Sequence, residues 1–221
     1  DGTLWTQGVN TIGQLGLNNT TNYFSPKQIP GNTWSRAPSV FAGGHCGAFK
    51  TDGTLWMWGY NDYGTLGQNN RTQYSSPRQV GSDTDWSTDG VNKLCGGLGT
   101  YTLAIKANGT LWAWGDNEYG ILGQNNTRSP GTGHRHSSPV QIPGTTWEKV
   151  FCANSGETAF AIKTDGTLWA WGANGWGRLG QNEGYPAQYS SPVQIPGTWN
   201  QVGLNNGGDP IATKPDGTMW S

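Results

Sequence analysis

One octapeptide decides what this chain can fold into. Asp165 to Gly172 reads DGTLWAWG, and it recurs as DGTLWMWG at 52–59, NGTLWAWG at 108–115 and DGTLWTQG at 1–8, with DGTMWS closing the chain at 216–221. The copies begin at residues 1, 52, 108, 165 and 216. A period near fifty residues marks a repeat array, in which each unit covers the apolar face of the next. The units run 1–51, 52–107, 108–164 and 165–215, with a fifth begun at 216–221, so 1–221 reads as one array.

Other landmarks keep the same phase. Gly-x-Leu-Gly falls at 13–16, 64–67, 120–123 and 177–180; Ser-Pro falls at 25–26, 76–77, 138–139 and 191–192. A lone tryptophan follows at Trp34, Trp86, Trp147 and Trp199, and a small apolar run then ends in Lys50, Lys106, Lys163 or Lys214. Within a unit, Thr110, Trp112 and Trp114 alternate with Leu111 and Ala113, the period of a strand packed on both faces. Ser138–Ile142 is a second strand with proline near its start, where a missing N–H does least harm. A third runs from Trp147 to Cys152, and a fourth from Ala159 to Lys163. No stretch of ten residues has helical apolar spacing. The fold class is therefore all-β, and four strands per unit of this length specify the blade of a β-propeller.

Composition agrees with short strands and tight turns: 36 glycines and 13 tryptophans against only 12% charged residues. Net charge is −1, with lysines and arginines scattered singly, which argues against nucleic acid as a partner, since that affinity rests on clustered cations. No apolar run reaches the roughly 20 residues of a membrane span, and no signal peptide is visible. The start and finish in mid-repeat read as a window on a longer protein. Its two open ends are expected to favour self-association through unpaired strand edges.

The order Trp-x-Trp-Gly, Asn-x-aromatic-Gly-x-Leu-Gly, Ser-Pro-x-Gln-Ile, small apolar run, Asp-Gly resembles the repeat of the regulator of chromosome condensation family, over all 221 residues. The resemblance implies a propeller mostly of seven blades, of which four repeats would be a part. Two departures are local. Thr6-Gln7 stands where other units have a second tryptophan, and a histidine usual near the last strand appears only as His45, with Tyr101, Thr158 and Asp209 in the matching places.

Most candidate sites dissolve into the repeat. Twelve tryptophans occupy repeat positions, and Trp176 stands where Tyr63 and Tyr119 stand, so the set reads as packing. The lysines share one phase and could form a ring of positive charge; an Asp or Asn two residues on (Asp52, Asn108, Asp165, Asp216) makes a solvated, paired turn the plainer expectation. Cys95 and Cys152 share a position with Ala42, which suggests a small buried side chain; three cysteines make a poor disulfide framework and a poor zinc site. His134-Arg-His136 supplies two imidazoles with no carboxylate or thiolate nearby in sequence, so no metal and no cofactor is expected. No nucleophile elbow, phosphate loop or zinc-binding His-Glu motif is present, so the chain is not expected to be an enzyme.

Function is then expected where the repeat is broken, in 81–92, 127–136 and 183–189. The candidate partner-binding residues are Asp83, Asp85, Arg128, His134, Arg135, His136, Glu183, Tyr185 and Tyr189, a polar and aromatic set suited to a protein partner at rim loops. The leading expectation is a non-catalytic binding or scaffold module. The Asn-, Gly-, Thr- and Trp-rich repeats are similar to those of bacterial surface and phage structural proteins, which implies a secreted, cell-surface or virion setting. Within the same family the alternatives are a guanine-nucleotide exchange regulator of a small GTPase and a secreted enzyme inhibitor.

Overall fold

The computed structural model describes residues 1–35, 39–40, 44–88, 91–98, 100–127, 135–153, 157–182 and 188–221. Its strands form five antiparallel sheets in chain order. The first pairs β1 (Leu4–Gly8) with β2 (Tyr23–Ile29). The second orders β3 (Ser39–Val40), β4 (His45–Phe49), β5 (Leu55–Gly59) and β6 (Tyr74–Gln79). The third holds β7 (Leu94–Gly97), β8 (Tyr101–Ile105), β9 (Leu111–Gly115) and β10 (His136–Ile142). The fourth holds β11 (Trp147–Cys152), β12 (Thr158–Lys163), β13 (Thr167–Ala173) and β14 (Gln188–Thr198). The fifth orders β15 (Gln201–Leu204), β16 (Pro210–Thr213) and β17 (Met219–Trp220). The only helical piece among the described residues is a 3-10 turn at Gly175–Gly177. The sheets are propeller blades.

Blades and sequence units are out of step by half a unit. The strand after each Asp-Gly pairs with the apolar strand before it, as β9 does with β8 through Ile105↔Leu111 and Tyr101↔Gly115. Asp-Gly and Asn-Gly are strong hairpin formers, so the most conspicuous punctuation in the sequence turns the chain within a blade. The crossing to the next blade comes later, at Pro143-Gly144 between β10 and β11.

The Asp-Gly-Thr-Leu-Trp string is a hydrogen-bond relay. Asp52 Oδ1 accepts from the Thr54 N–H (3.0 Å) and hydroxyl (2.6 Å), and Thr54 Oγ1 accepts from the Trp56 indole at 2.8 Å. Asn108, Thr110 and Trp112 repeat the arrangement at 3.1, 2.7 and 3.0 Å. Only an acceptor oxygen is needed at the first position, so Asn serves as well as Asp.

The second tryptophan fastens one blade to the one before it. Trp58, Trp114 and Trp171 donate their indole N–H to the carbonyls of Gln14, Thr65 and Ile121, at 2.9, 2.7 and 2.7 Å. These carbonyls are the second residues of the Gly-x-Leu-Gly loops. Each loop is held by a fully buried asparagine: Asn10, Asn61, Asn117 and Asn174 accept from the N–H of Leu15, Leu66, Leu122 and Leu179. The opening glycine of the loop lets backbones meet. A Cβ on Gly13, Gly64 or Gly120 would stand 2.5, 2.7 or 2.5 Å from the Cα of Ser75, Ser137 or Ser190 in the next blade, and all three glycines have φ between 76 and 83°. In the first sheet both partners are replaced, tryptophan by Gln7 and serine by a fully exposed Phe24.

The cysteines correct the sequence reading. Cys95 on β7 and Cys152 on β11 are disulfide-bonded, with Cα atoms 5.7 Å apart. Their 57-residue separation is one repeat, so they hold the same register on the innermost strands of adjacent blades, where blades converge. Equal phase, read as a sign of a small buried residue, is in a blade stack also adjacency. Cys46 alone is free and buried, its thiol pushed up to about 12 by burial.

Two outcomes follow for urea denaturation. Trp171→Phe should cost about 1–2 kcal/mol more than Trp114→Phe, because it leaves the buried Ile121 carbonyl unpaired. Thr65, by contrast, still accepts from the Thr102 hydroxyl. The Cys95→Ala/Cys152→Ala pair should lose about 4 kcal/mol, the loop-closure entropy of a bridge spanning 57 residues.

Candidate functional site

The array has two faces. The turn face carries the Asp-Gly hairpins and the connections between blades; the loop face carries the Gly-x-Leu-Gly loops and the starts of β4, β8 and β12. The three departures from the repeat do not meet. Of their described residues, 81–88 and 91–92 lie on the turn face, whereas Thr127, Arg135, His136, Gln188 and Tyr189 lie on the loop face.

On the turn face each repeat lysine is clamped by tryptophans. Lys50 Nζ stands 5.1 and 3.7 Å from the ring centroids of Trp34 and Trp56, and Lys106 stands 5.2 and 4.9 Å from Trp86 and Trp112. Lys163 is 4.6 and 4.4 Å from Trp147 and Trp169, and Lys214 is 5.4 and 4.5 Å from Trp199 and Trp220. The expected pairing of Lys with the following Asp is therefore corrected: the carboxylate is taken by threonine, and the ammonium by two indole faces. Asp83 and Asp85 complete one clamp, reaching Lys106 Nζ at 2.7 and 2.9 Å and leaving it 8% exposed. These two candidate residues are engaged within the chain, and their outer oxygens face solvent.

Loop-face residues begin with a buried polar column. His45, Tyr101 and Thr158 open β4, β8 and β12 and are all buried. His45 Nε2 lies 3.3 Å from Thr102 Oγ1, and the Tyr101 hydroxyl donates to the Thr158 carbonyl at 3.3 Å. Burial lowers the His45 imidazole to about 3, against a smaller raising effect from a hydrogen bond with the Tyr101 backbone. Beside the column, burial and then the neighbouring Glu118 and Asp116 charges raise the Glu157 carboxyl to about 7. The sequence sets His45, Tyr101 and Thr158 in one repeat position but does not show that they meet or that Glu157 lies beside them, because that contact forms only when blades stack.

Of the remaining candidates, Arg135 reaches back across a blade junction. Its guanidinium lies 4.4 Å from the Tyr63 ring centroid and its Nε 3.5 Å from Asp116 Oδ1. His136 opens β10 opposite Gly115. Tyr189 packs half-buried between the third and fourth blades' apolar cores. Arg128, His134, Glu183 and Tyr185 lie outside the described residues. Trp176 departs from the packing reading: it is 87% exposed with φ 66°, while Trp34, Trp58, Trp86, Trp114, Trp147, Trp171 and Trp199 are buried. An apolar groove lined by Phe160, Leu168, Trp199, Val202 and Trp220 separates the fourth and fifth blades, in the place that Trp58, Trp114 and Trp171 fill at earlier junctions.

Meander sheets shared between successive repeats, fastened by indole-to-carbonyl bonds, define a repeat β-propeller protein. The family follows from the sequence match: the regulator of chromosome condensation (RCC1) repeat model covers residues 1–49, 52–89, 108–157 and 165–207, and the chain belongs to that family. It is 30% identical over 195 residues to the mitochondrial RCC1 domain-containing protein RUG3 of Arabidopsis thaliana, covering 87% of this chain and 43% of that protein. It is 30% identical over 197 residues to the ultraviolet-B receptor UVR8 of the same plant, covering 88% of this chain and 42% of the receptor. Prp20p of Saccharomyces cerevisiae, solved together with its binding properties to Gsp1p and histones, shares the fold at a TM-score of 0.72 and 16% identity, over 89% of this chain and 47% of that one. The chain thus spans less than half the length of these relatives.

Between pH 4.5 and 6.5, His45 and Glu157 set opposing pH slopes. The folded His45 refuses a proton that the unfolded chain takes up below about 6.5, so its contribution is complete above that pH and is lost as pH falls toward 3. The folded Glu157 keeps a proton that the unfolded chain releases above about 4.5, so its contribution is complete below that pH and is lost as pH rises toward 7. Unfolding free energy should be nearly flat from pH 4.5 to 6.5. Glu157→Gln should uncover a rise with pH of up to about 1.4 kcal/mol per unit, and His45→Gln a fall. Chemical denaturation at several pH values checks both.

Proposed function

We propose that this chain is a non-catalytic protein-binding scaffold. The observation that supports this most is the division of labour between repeated and unrepeated residues. The repeated polar and aromatic groups are consumed by relays, clamps and blade fastenings within the chain. The described residues that break the repeat stand at the two faces, carried by a stack of blades, which is the arrangement of a recognition surface. RCC1-family relatives include a receptor and domain-containing proteins of other kinds, so the family accommodates a binding role without prescribing a partner.

We place the protein in a secreted, cell-surface or virion setting. The Cys95–Cys152 bond supports this, since disulfides persist in oxidising compartments. The likeness to Prp20p is one of fold.

A loop exchange tests the reading. Residues 127–134 would be replaced by Arg71-Thr72, the shorter equivalent in the preceding repeat, keeping Arg135 and its contacts with Tyr63 and Asp116, and capture of partner proteins from native extract compared with the parent chain. The expected result is loss of capture with an unchanged melting temperature. Undiminished capture, or accelerated nucleotide release from a small GTPase by the parent chain, would overturn it.

A further inference from the structure

The first position of the repeated turn is aspartate at Asp1, Asp52, Asp165 and Asp216, and asparagine only at Asn108. The relay asks for one acceptor oxygen there and is indifferent to the other atom of the side chain. Asn108 Oδ1 is engaged as Asp52 Oδ1 is, by the N–H and hydroxyl of the threonine two residues on, at 3.1 and 2.7 Å. The direction of that hydroxyl is fixed. The Trp112 indole, which only donates, gives its N–H to Thr110 Oγ1 at 3.0 Å, so the hydroxyl hydrogen is turned to Oδ1. The amide nitrogen of Asn108 takes no part in the relay, and the residue is exposed.

Gly109 follows, and a glycine lets its backbone nitrogen approach the side-chain carbon before it with the least hindrance. Two other Asn-Gly pairs, Asn174-Gly175 and Asn206-Gly207, are followed by Trp176 and Gly208, which bring no hydroxyl. Asn174 is also fully buried. Asn108 alone joins a following glycine to a threonine two residues on.

We propose that Asn108 is a latent aspartate, which the folded turn converts through a cyclic imide to the residue that the other repeats encode. The Gly109 nitrogen gives its proton to water and bonds to Asn108 Cγ; the side-chain nitrogen leaves with a proton as ammonia, and a five-membered imide remains. Water then adds to one of the two imide carbonyls. Addition at Cγ breaks the new bond to Gly109 and yields aspartate, whereas addition at the Asn108 backbone carbon yields isoaspartate. Closure and opening at Cγ both place negative charge on Oδ1, where the Thr110 N–H and hydroxyl already point, so the relay acts as an oxyanion hole. Gly109 N–H is held by the Lys106 carbonyl at 2.9 Å. Closure waits on opening of that bond, and the product is what the fold controls.

Aspartate returns the Gly109 N–H to Lys106 and keeps the Lys106 N–H on the Thr110 carbonyl, also 2.9 Å, whereas isoaspartate lengthens the chain between them by an extra carbon. The product matches Asp165, whose carboxyl the Thr167 hydroxyl and then its N–H hold below the ordinary carboxylate value. It adds a negative charge to the turn face two residues from Lys106, which Asp83 and Asp85 already engage.

The test holds the whole chain and a peptide of residues 104–113 in mildly alkaline, heavy-oxygen water below the melting temperature. Mass spectrometry with fragmentation then separates aspartate from isoaspartate at position 108. Aspartate should predominate in the folded chain, with a ratio to isoaspartate roughly tenfold that of the peptide. Asn174 should stay unchanged. Thr110→Val, which removes the hydroxyl with little change of shape, should lower the ratio severalfold, and Thr110→Ser should restore it. Asn108→Asp should melt at or above the parent's temperature. An excess of isoaspartate, asparagine unchanged at 108 long after the peptide has reacted to completion, or the parent's ratio in a folded Thr110→Val chain would each overturn the assignment. Should Thr110→Val fail to fold, the comparison of parent with peptide decides alone.

Discussion

The stack depends on one hydrogen bond made three times: the indole N–H of the second tryptophan in each Trp-x-Trp strand, given to a carbonyl of the loop in the blade before it. A tryptophan both fills the wedge between blades and pins a backbone carbonyl of the blade before it. The rest of the junction supports that bond. A buried asparagine shapes the Gly-x-Leu-Gly loop so that its second carbonyl points across, and a glycine without a Cβ lets the loop lie on the backbone of the next outer strand. Changing any one element displaces the other two. This is why the landmarks travel together along the sequence.

Fastening of this kind leaves little chemistry over. Lysines that could have made a basic rim are held between indoles, and the carboxylates beside them are spent on threonine. Distinctive behaviour is left to places where the pattern is relaxed. Asp83 and Asp85 add carboxylates to a single clamp, Arg135 crosses a junction to Tyr63, and Glu157 brings a carboxylate to a position that is glycine or threonine elsewhere. Substitutions at such places alter charge while the wedge and its hydrogen bond stay intact, so a repeat scaffold can acquire a recognition surface without refolding.

Much of the architecture was legible in the sequence. Period, strand positions and propeller class follow from alternation and turn residues, and β9 to β12 begin and end within two residues of the segments read from the third repeat. The blade boundary was not legible from the period alone, because Asp-Gly marks a hairpin inside a sheet as readily as a border between sheets. Contacts between repeats were hidden for a related reason. Residues one period apart look merely equivalent in a sequence, but the stack makes them neighbours, as Cys95 and Cys152 show. The Trp176 side chain was read as packing from the company it keeps in the repeat, and its exposure comes from the turn's positive φ, which lifts the indole off the next blade.

Exchange of the indole N–H protons with deuterated solvent, followed by NMR, tests the central claim most directly. If the junction bonds hold the stack as one body, the protons of Trp58, Trp114 and Trp171 exchange only through global unfolding, with one common free energy, while that of Trp176 exchanges at once. Separate and lower opening free energies for the three, one per blade, would contradict the account.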